Sequence, residues 1–242
     1  MEKDIALALK KEQEYLHRKI VENDNTANIY EYLSEAGYDN LEDYHKDGAE
    51  YYLKSQNLEI EHVYITEESL DEWAKLTMGG KTLFRSAEIE DPSLGTVAIV
   101  GADFNDFERY KELDVYPVKF NYMHGCIITG IKDFNFCISI PKRAWLSLAD
   151  VILKKLKAFI ETRNDNVEIN GNDILVGGKK VVGCAEINNN GMCCIICHVS
   201  LTDYNDIIYQ LCPPHGSKKE PSLIKNISKK ELEKEVQSWL QL

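Results

Sequence analysis

The residues best suited to chemistry lie in one short stretch. Asn172 and Asp173 form a polar pair, and Ile174 to Val176 reads as a strand. Gly177 and Gly178 read as a turn, and Lys180 opens a second strand running through Gly183 to Ala185. An ammonium fixed at the start of a strand faces whatever lies on the neighbouring strands. Its natural guests are a carboxylate or a phosphate. A plain β-hairpin with a Gly-Gly turn and a solvated lysine uses the same residues.

Such a lysine must be positioned by a core, and the composition allows one. The chain has 242 residues, 44% of them apolar, enough for one large domain or one domain plus an extension. A formal net charge of −12 excludes a general nucleic-acid binder, because phosphate recognition along a backbone needs a net basic face. It leaves room for a local cationic pocket. No apolar run is long enough to span a bilayer, so no membrane partner is expected. The start of the chain lacks the apolar centre of a signal peptide, so the expected location is cytoplasmic.

Seven cysteines, at 126, 137, 184, 193, 194, 197 and 212, lie mostly in apolar strand-like sequence. Buried free thiols fit this pattern better than a disulfide framework. Cys194 and Cys197 have the spacing of a metal or redox pair, yet residues three apart on a strand point to opposite faces. No second Cys/His pair completes four zinc ligands, and no metal site is expected among the side chains.

Residues 1–65 read as an acidic helical extension and 66–242 as the main domain. A partial apolar stripe marks the first helix. Thr26 to Ala36 forms another, stopped by Gly37, and Asn40 caps a third running to about Lys54. The extension is rich in tyrosine. It is expected to pack on the main domain as a helical hairpin, with a partner-binding tyrosine surface as the alternative.

Beyond Gly79 and Gly80 the texture changes. Helices are expected at Ser69–Leu76 and Asp106–Leu113, and a turn at Asp91–Gly95. Strands are expected around Leu83–Arg85, Thr96–Val100, Val115–Phe120 and Phe134–Ile140. Trp145–Thr162 is the clearest helix, with Ala149, Ile152, Leu153, Leu156, Phe159 and Ile160 on one face. Strands follow over 167–176, at Lys180–Ile187 and at Met192–Leu201, with a hairpin loop at Asn188–Gly191. Asp203–Leu211 reads as a helix stopped by Pro213 and Pro214. Ser228 and Glu231 form a capping box for a last helix to about Leu240. Strands joined by hairpins and mixed with helices predict an α+β fold with a mixed, largely antiparallel sheet flanked by helices.

Residues from about 80 to 242 resemble the catalytic domain of lipoate–protein ligases, within the wider biotin/lipoate ligase class. Four segments carry the resemblance in order: Thr96–Gly101, Val118–Ile140, Asn172–Ala185 and Cys194–Leu211. In the third, Asn172, Asp173, Lys180 and Gly183 all stand at the family's spacing. The second departs from the family's two arginines and glycine run. Only Lys119 keeps a positive charge there, and only Gly125 keeps the glycine. Tyr122, Met123 and His124 would fill space that glycines leave open for a phosphate or a thiolane ring. That departure implies a different or smaller ligand, or impaired adenylation.

The resemblance implies a two-step ligase. Lipoate or a related acid reacts with ATP to give an acyl-adenylate, with Mg²⁺ at the phosphates, and a lysine of a lipoyl-type acceptor domain then takes the acyl group. Lys180 is the implied catalytic residue, since a fixed ammonium opposes the negative charge built in both transition states. Asn172 and Asp173 would position nucleotide or Mg²⁺. Gly183, Lys119, His124 and Gly125 complete the implied binding set. A turn cap for Asp173, a solvated edge for Lys119 and a turn for His124 are the plain alternatives. The chain ends too soon after Lys180 to hold the family's small accessory domain, so a separate accessory partner is the corresponding expectation. Two alternatives stand beside the ligase. One is octanoyltransferase-like transfer through a thioester at Cys212, near the place of that family's cysteine. The other is a non-catalytic relative that keeps the fold to bind a ligand or a protein.

Overall fold

The computed structural model describes residues 2–65, 82–89, 96–101, 118–121, 126–130, 132–143, 148–189, 191–202 and 222–240. Three helices open the chain: α1 (Ile5–Ile20), α2 (Ile29–Ser34) and α3 (Leu41–Ser55). Each begins where a side chain can satisfy an orphan N–H. The Asp4, Asn28 and Asn40 side chains accept from Leu7, Tyr30 and Asp43 N–H. After α2 the chain turns at Gly37, with φ +85°, where a Cβ would stand 2.8 Å from the Glu2 carbonyl oxygen.

Strand β1 (Glu59–Ile65) follows. Here the helical expectation for residues 1–65 is corrected at its end. Ile60, Val63, Tyr64 and Ile65 suit a pleated strand, and pairing with a neighbour overrides a weak helical pattern. β1 runs parallel to β2 (Leu83–Ile89), with Glu61 opposite Arg85.

The main sheet has seven strands in the order β1-β2-β6-β10-β9-β8-β7. Its other members are β6 (Phe134–Pro141), β7 (Val167–Asn170), β8 (Asp173–Val176), β9 (Lys179–Asn189) and β10 (Met192–Val199). All its pairs except β1–β2 are antiparallel. A second sheet holds β4 (Val118–Asn121), β3 (Thr96–Gly101) and β5 (Cys126–Gly130), in that order. β5 has no counterpart among the expected strands. The α+β class and the mixed, mostly antiparallel sheet are as expected.

Two more helices complete the described chain: α4 (Leu148–Glu161) and α5 (Lys229–Leu240). The Glu186 carboxylate accepts from Ala149 N–H in the first turn of α4. The capping box of α5 is formed, with Ser228 N–H donating to Glu231 Oε2 at 2.8 Å and Glu231 N–H donating to Ser228 Oγ at 3.3 Å.

One continuous apolar core joins these elements. The sheet contributes Phe84, Phe134, Phe136, Ile138, Ile195 and Val199. Ile152, Leu156 and Ile160 come from α4, Leu232 and Val236 from α5, and Leu9, Leu33, Tyr44 and Leu53 from the first three helices. Each fully buried large side chain contributes about 1.5–3 kcal/mol. The N-terminal helices therefore share the core of the sheet. A buried ion pair fixes α1 as well: Arg143, just past β6, donates to Glu12 Oε2 at 3.0 Å and to the Leu9 carbonyl at 2.7 Å.

The helices expected at 69–76, 106–113 and 203–211, the turn at 91–95, and residues His124, Gly125 and Cys212 lie outside the described residues. Among the described residues no helix is long and apolar enough to cross a membrane.

Candidate functional site

The site is built on the β8–β9 hairpin. Gly177 and Gly178 have φ of +59° and +78°, the paired left-handed conformation of a tight two-residue turn. Val176 and Lys179 face each other across it. The register then slips. Leu175 pairs with Lys180 but Ile174 pairs with Val182, leaving Val181 as the extra residue of a β-bulge.

That bulge decides where the lysine points. In a regular strand Lys180 and Gly183, three apart, would face opposite sides. The extra residue restores the parity. Val181 and Val182 both turn into the apolar core, at 1% and 0% exposure, and Lys180 shares the other face with Gly183. Asp173 lies directly opposite Gly183. The Lys180 ammonium reaches back to it, with Nζ 2.7 Å from Asp173 Oδ1.

Gly183 makes this path open. A Cβ there would stand 3.0 Å from Lys180 Cε and 3.1 Å from Nζ. The lysine backbone is held as well. Its carbonyl accepts from Ser222 N–H at 2.7 Å, and the Val181 carbonyl accepts from Ser200 N–H at 2.9 Å. The side chains of Lys180 and Asp173 are 40% and 27% exposed, so their ion pair adds little stability.

A polar row continues across the sheet from Gly183. His198 on β10 is opposite Gly183, and Asn135 on β6 is opposite His198. His198 Nδ1 is 2.8 Å from Asn135 Oδ1, and its Nε2 is 3.2 Å from Ser200 Oγ. With the amide oxygen as acceptor, this geometry suits the Nδ1–H tautomer of a neutral imidazole. Burial pushes the His198 pKa down. Asp133, 3.8 Å from Nε2, opposes this, and the Lys180 charge adds to it. Asp133 is itself buried and accepts from Leu201 and Thr202 N–H at 2.7 and 2.9 Å.

The cysteines divide between the two faces of β10. Cys197 meets Cys184 in the helix-covered core, and Cys194 meets Cys137 on the site face, each pair at 3.3 Å between sulfurs. Cys194 and Cys197 are thus on opposite faces, as their spacing requires. Burial pushes the Cys193 thiol up to about 12, and a neighbouring thiol together with burial raises Cys194 further. These are neutral packing groups, unsuited to nucleophilic attack.

Among the expected site residues, Asp173, Lys180 and Gly183 come together. Asn172 sits in the β7–β8 turn with an exposed side chain, and its carbonyl accepts from Cys184 N–H at 2.9 Å. Lys119 is in β4 opposite Ile99, in the three-stranded sheet rather than the seven-stranded one. Sequence reasoning missed His198. The signal was present in the hairpin itself, because a register that sets Asn189 opposite Met192 also sets Gly183 opposite His198.

The arrangement suits an anion. One ammonium is held half-exposed over a bare Cα, which is a cradle that a Cβ would fill, and Asp173 supplies a carboxylate beside it. Among the described residues no group of three or more His, Cys, Asp or Glu could hold a metal ion. A magnesium ion would fit here only in company with ligand phosphates, its usual mode.

The same architecture occurs in solved structures. A lipoate-protein ligase A bound with ATP superimposes with a TM-score of 0.54 at 15% identity, covering 76% of this chain and 84% of that one. The fold is that of the lipoate–protein ligase catalytic domain. A Thermoplasma acidophilum protein with bound lipoic acid gives a TM-score of 0.55 at 13% identity, over 76% of this chain and 84% of its own. A structure of the bi-partite lipoate protein ligase from T. acidophilum, studied with its E2 lipoyl domain, gives 0.53 at 14% identity, over 75% and 81%. No protein-family model matches the sequence, and no curated protein matches it. The lipoate-ligase fold is thus carried here by a sequence only 13–15% identical to these structures.

Proposed function

We propose that the chain is a cytoplasmic lipoate–protein ligase-like acyltransferase. It would form an acyl-adenylate from lipoate, or a related acid, and ATP, then pass the acyl group to a lysine of a lipoyl-type acceptor domain. The observation that carries this reading is the Lys180 ammonium, bulge-directed over Gly183 and held by Asp173. The lipoate-ligase fold supports it, as do the ATP and lipoic acid bound in structures of that fold.

In the first step an acid oxygen attacks the α-phosphorus of ATP and pyrophosphate leaves. In the second the acceptor amine attacks the acyl carbon, AMP leaves and the amine proton is released. Negative charge builds on phosphoryl oxygen in one step and on carbonyl oxygen in the other. Lys180 meets both, since it lies where an anion would displace its bond to Asp173. Asp173, once freed, would be the residue to help hold a Mg²⁺, which would supply charge neutralisation to the ligand's phosphates. Gly183 keeps the cradle open. Asn172, Lys119, His124 and Gly125 are assigned to the nucleotide and acid. A separate accessory domain is a further proposed partner.

The test is pyrophosphate release from ATP and Mg²⁺ with lipoate, octanoate or biotin, alongside a Lys180→Ala control. Acid-dependent release that disappears in the variant supports the ligase and names its acid. Absence of release with every acid, together with no heat on ATP titration, overturns it. Thioester transfer through Cys212 or a binding role would then be the readings to pursue.

A further inference from the structure

We propose that His198 is a positioning residue of the Lys180 site, a neutral imidazole whose protonation is coupled to the charge on the lysine and to an anion bound there. The proposal rests on the reading above only in taking the Lys180 cradle as the place where a substrate anion sits.

Three observations carry it. First, the register puts His198 beside Gly183, the residue over which the Lys180 ammonium lies. The ammonium therefore lies over the position directly opposite the imidazole, on the same face of the sheet, where its charge disfavours a second proton on the ring.

Second, the imidazole is oriented. Asn135 and Ser200 engage its two nitrogens at 2.8 and 3.2 Å, and the His198 side chain is only 15% exposed. A buried histidine with both nitrogens bonded has one favoured tautomer, with the proton on Nδ1.

Third, the cluster ties together the two ends of the segment that leaves β10 and returns beside β9. Asp133 holds the exit through Leu201 and Thr202 N–H. The return is held by Ser222 N–H on the Lys180 carbonyl and Ile224 N–H on the Ser200 carbonyl. Ser200 joins the two sets, since its hydroxyl meets His198 Nε2 and its N–H donates to the Val181 carbonyl. His198 thus braces the backbone that presents Lys180.

Among the described residues, the charged groups around the imidazole are Asp133 just before β6, Lys180 on β9 and Asp173 on β8 beyond Gly183. Lys180 opposes a proton on His198, and Asp133 favours one. An anion over Lys180 removes the opposition. Linkage is reciprocal, so an anion that raises proton affinity at His198 must itself bind more tightly when His198 is protonated.

The test is a ¹⁵N NMR titration of the full chain with labelled histidine, free and with ATP as the anionic probe. The wild type is expected to show the Nδ1–H tautomer. Lys180→Ala should raise the His198 midpoint, and Ser200→Ala should weaken the tautomer preference while keeping the fold. ATP should raise the midpoint in the wild type and leave it in place in Lys180→Ala. ATP affinity should accordingly increase as pH falls through that midpoint. A purely structural histidine would show none of these linked shifts. A midpoint unmoved by Lys180→Ala, or two tautomers in rapid exchange in the wild type, overturns the proposal. A midpoint that moves with Lys180→Ala but not with ATP sustains the coupling and counts against ATP as the ligand, separating this inference from the ligase reading.

Discussion

On one face of β10 stand Cys193, Ile195, Cys197 and Val199, packed among helices. On the other stand Cys194, Ile196 and His198, in line with Asn135 on one side and with Gly183 and Asp173 on the other. The first face is filled by volume. The second is filled near its centre by a small thiol-lined cluster, and toward β8 it becomes polar and opens at a lysine. One strand thus serves stability with its odd residues and builds the polar site with its even ones. Energy and function can be separated residue by residue, so substitutions on the two faces should fail in different ways.

The largest effect is expected behind the helix-covered face. Arg143→Ala leaves the buried Glu12 carboxylate without its cation and should destabilise the fold by about 3–5 kcal/mol. Urea unfolding followed by circular dichroism checks this. Ile195→Ala should lose about 2–5 kcal/mol through the cavity it leaves, measured in the same way. If either variant proved as stable as the wild type, the helical face would not be the seat of stability.

Across the sheet the pattern should reverse. Lys180→Ala is expected to change unfolding free energy by less than about 1 kcal/mol, because its ion pair is exposed. The same change should raise the barrier for pyrophosphate release by on the order of 3 kcal/mol. Gly183→Ala sharpens the contrast. Its new methyl meets only the far end of a flexible side chain, so stability should fall by roughly 1 kcal/mol or less. ATP affinity by calorimetry should fall with it, because the ammonium is pushed from its path.

The smallest expected effect is on pH dependence. Burial holds His198 neutral in the folded protein and lowers its pKa. The unfolded chain then binds more protons than the folded one below the ordinary histidine range, so stability is lost as pH falls through it. His45 is depressed in the same sense by burial, and the part due to His198 is the part that a His198→Asn variant removes. Denaturation midpoints measured from neutral to mildly acidic pH would separate the two.

Much of this was legible from local signals. Asn40, Gly37 and the Ser228–Glu231 box mark helix ends because caps are set by neighbouring residues. Gly177 and Gly178 mark the hairpin for the same reason, and the Asn172–Gly183 stretch shows its lysine. What stayed hidden depends on pairing between distant strands. β1 ends a stretch that otherwise reads as helical, and only β2 makes it a strand. The bulge at Val181 has no local signature, since Val181 and Val182 look alike in sequence and differ only in register. His198 faces Gly183 across its own hairpin, but it acquires its partner Asn135 from β6, far from it along the chain.

The interior thiols have a practical consequence. Cys193, Cys194 and Cys197 line both sides of a central strand and are all buried. An alkylating reagent can reach them only when that strand opens. A pulse of reagent, read peptide by peptide by mass spectrometry, would therefore time the breathing of β10 without any added probe. Labelling of Cys194 ahead of Cys197 would show that the lysine side of the sheet loosens while the helical side stays shut.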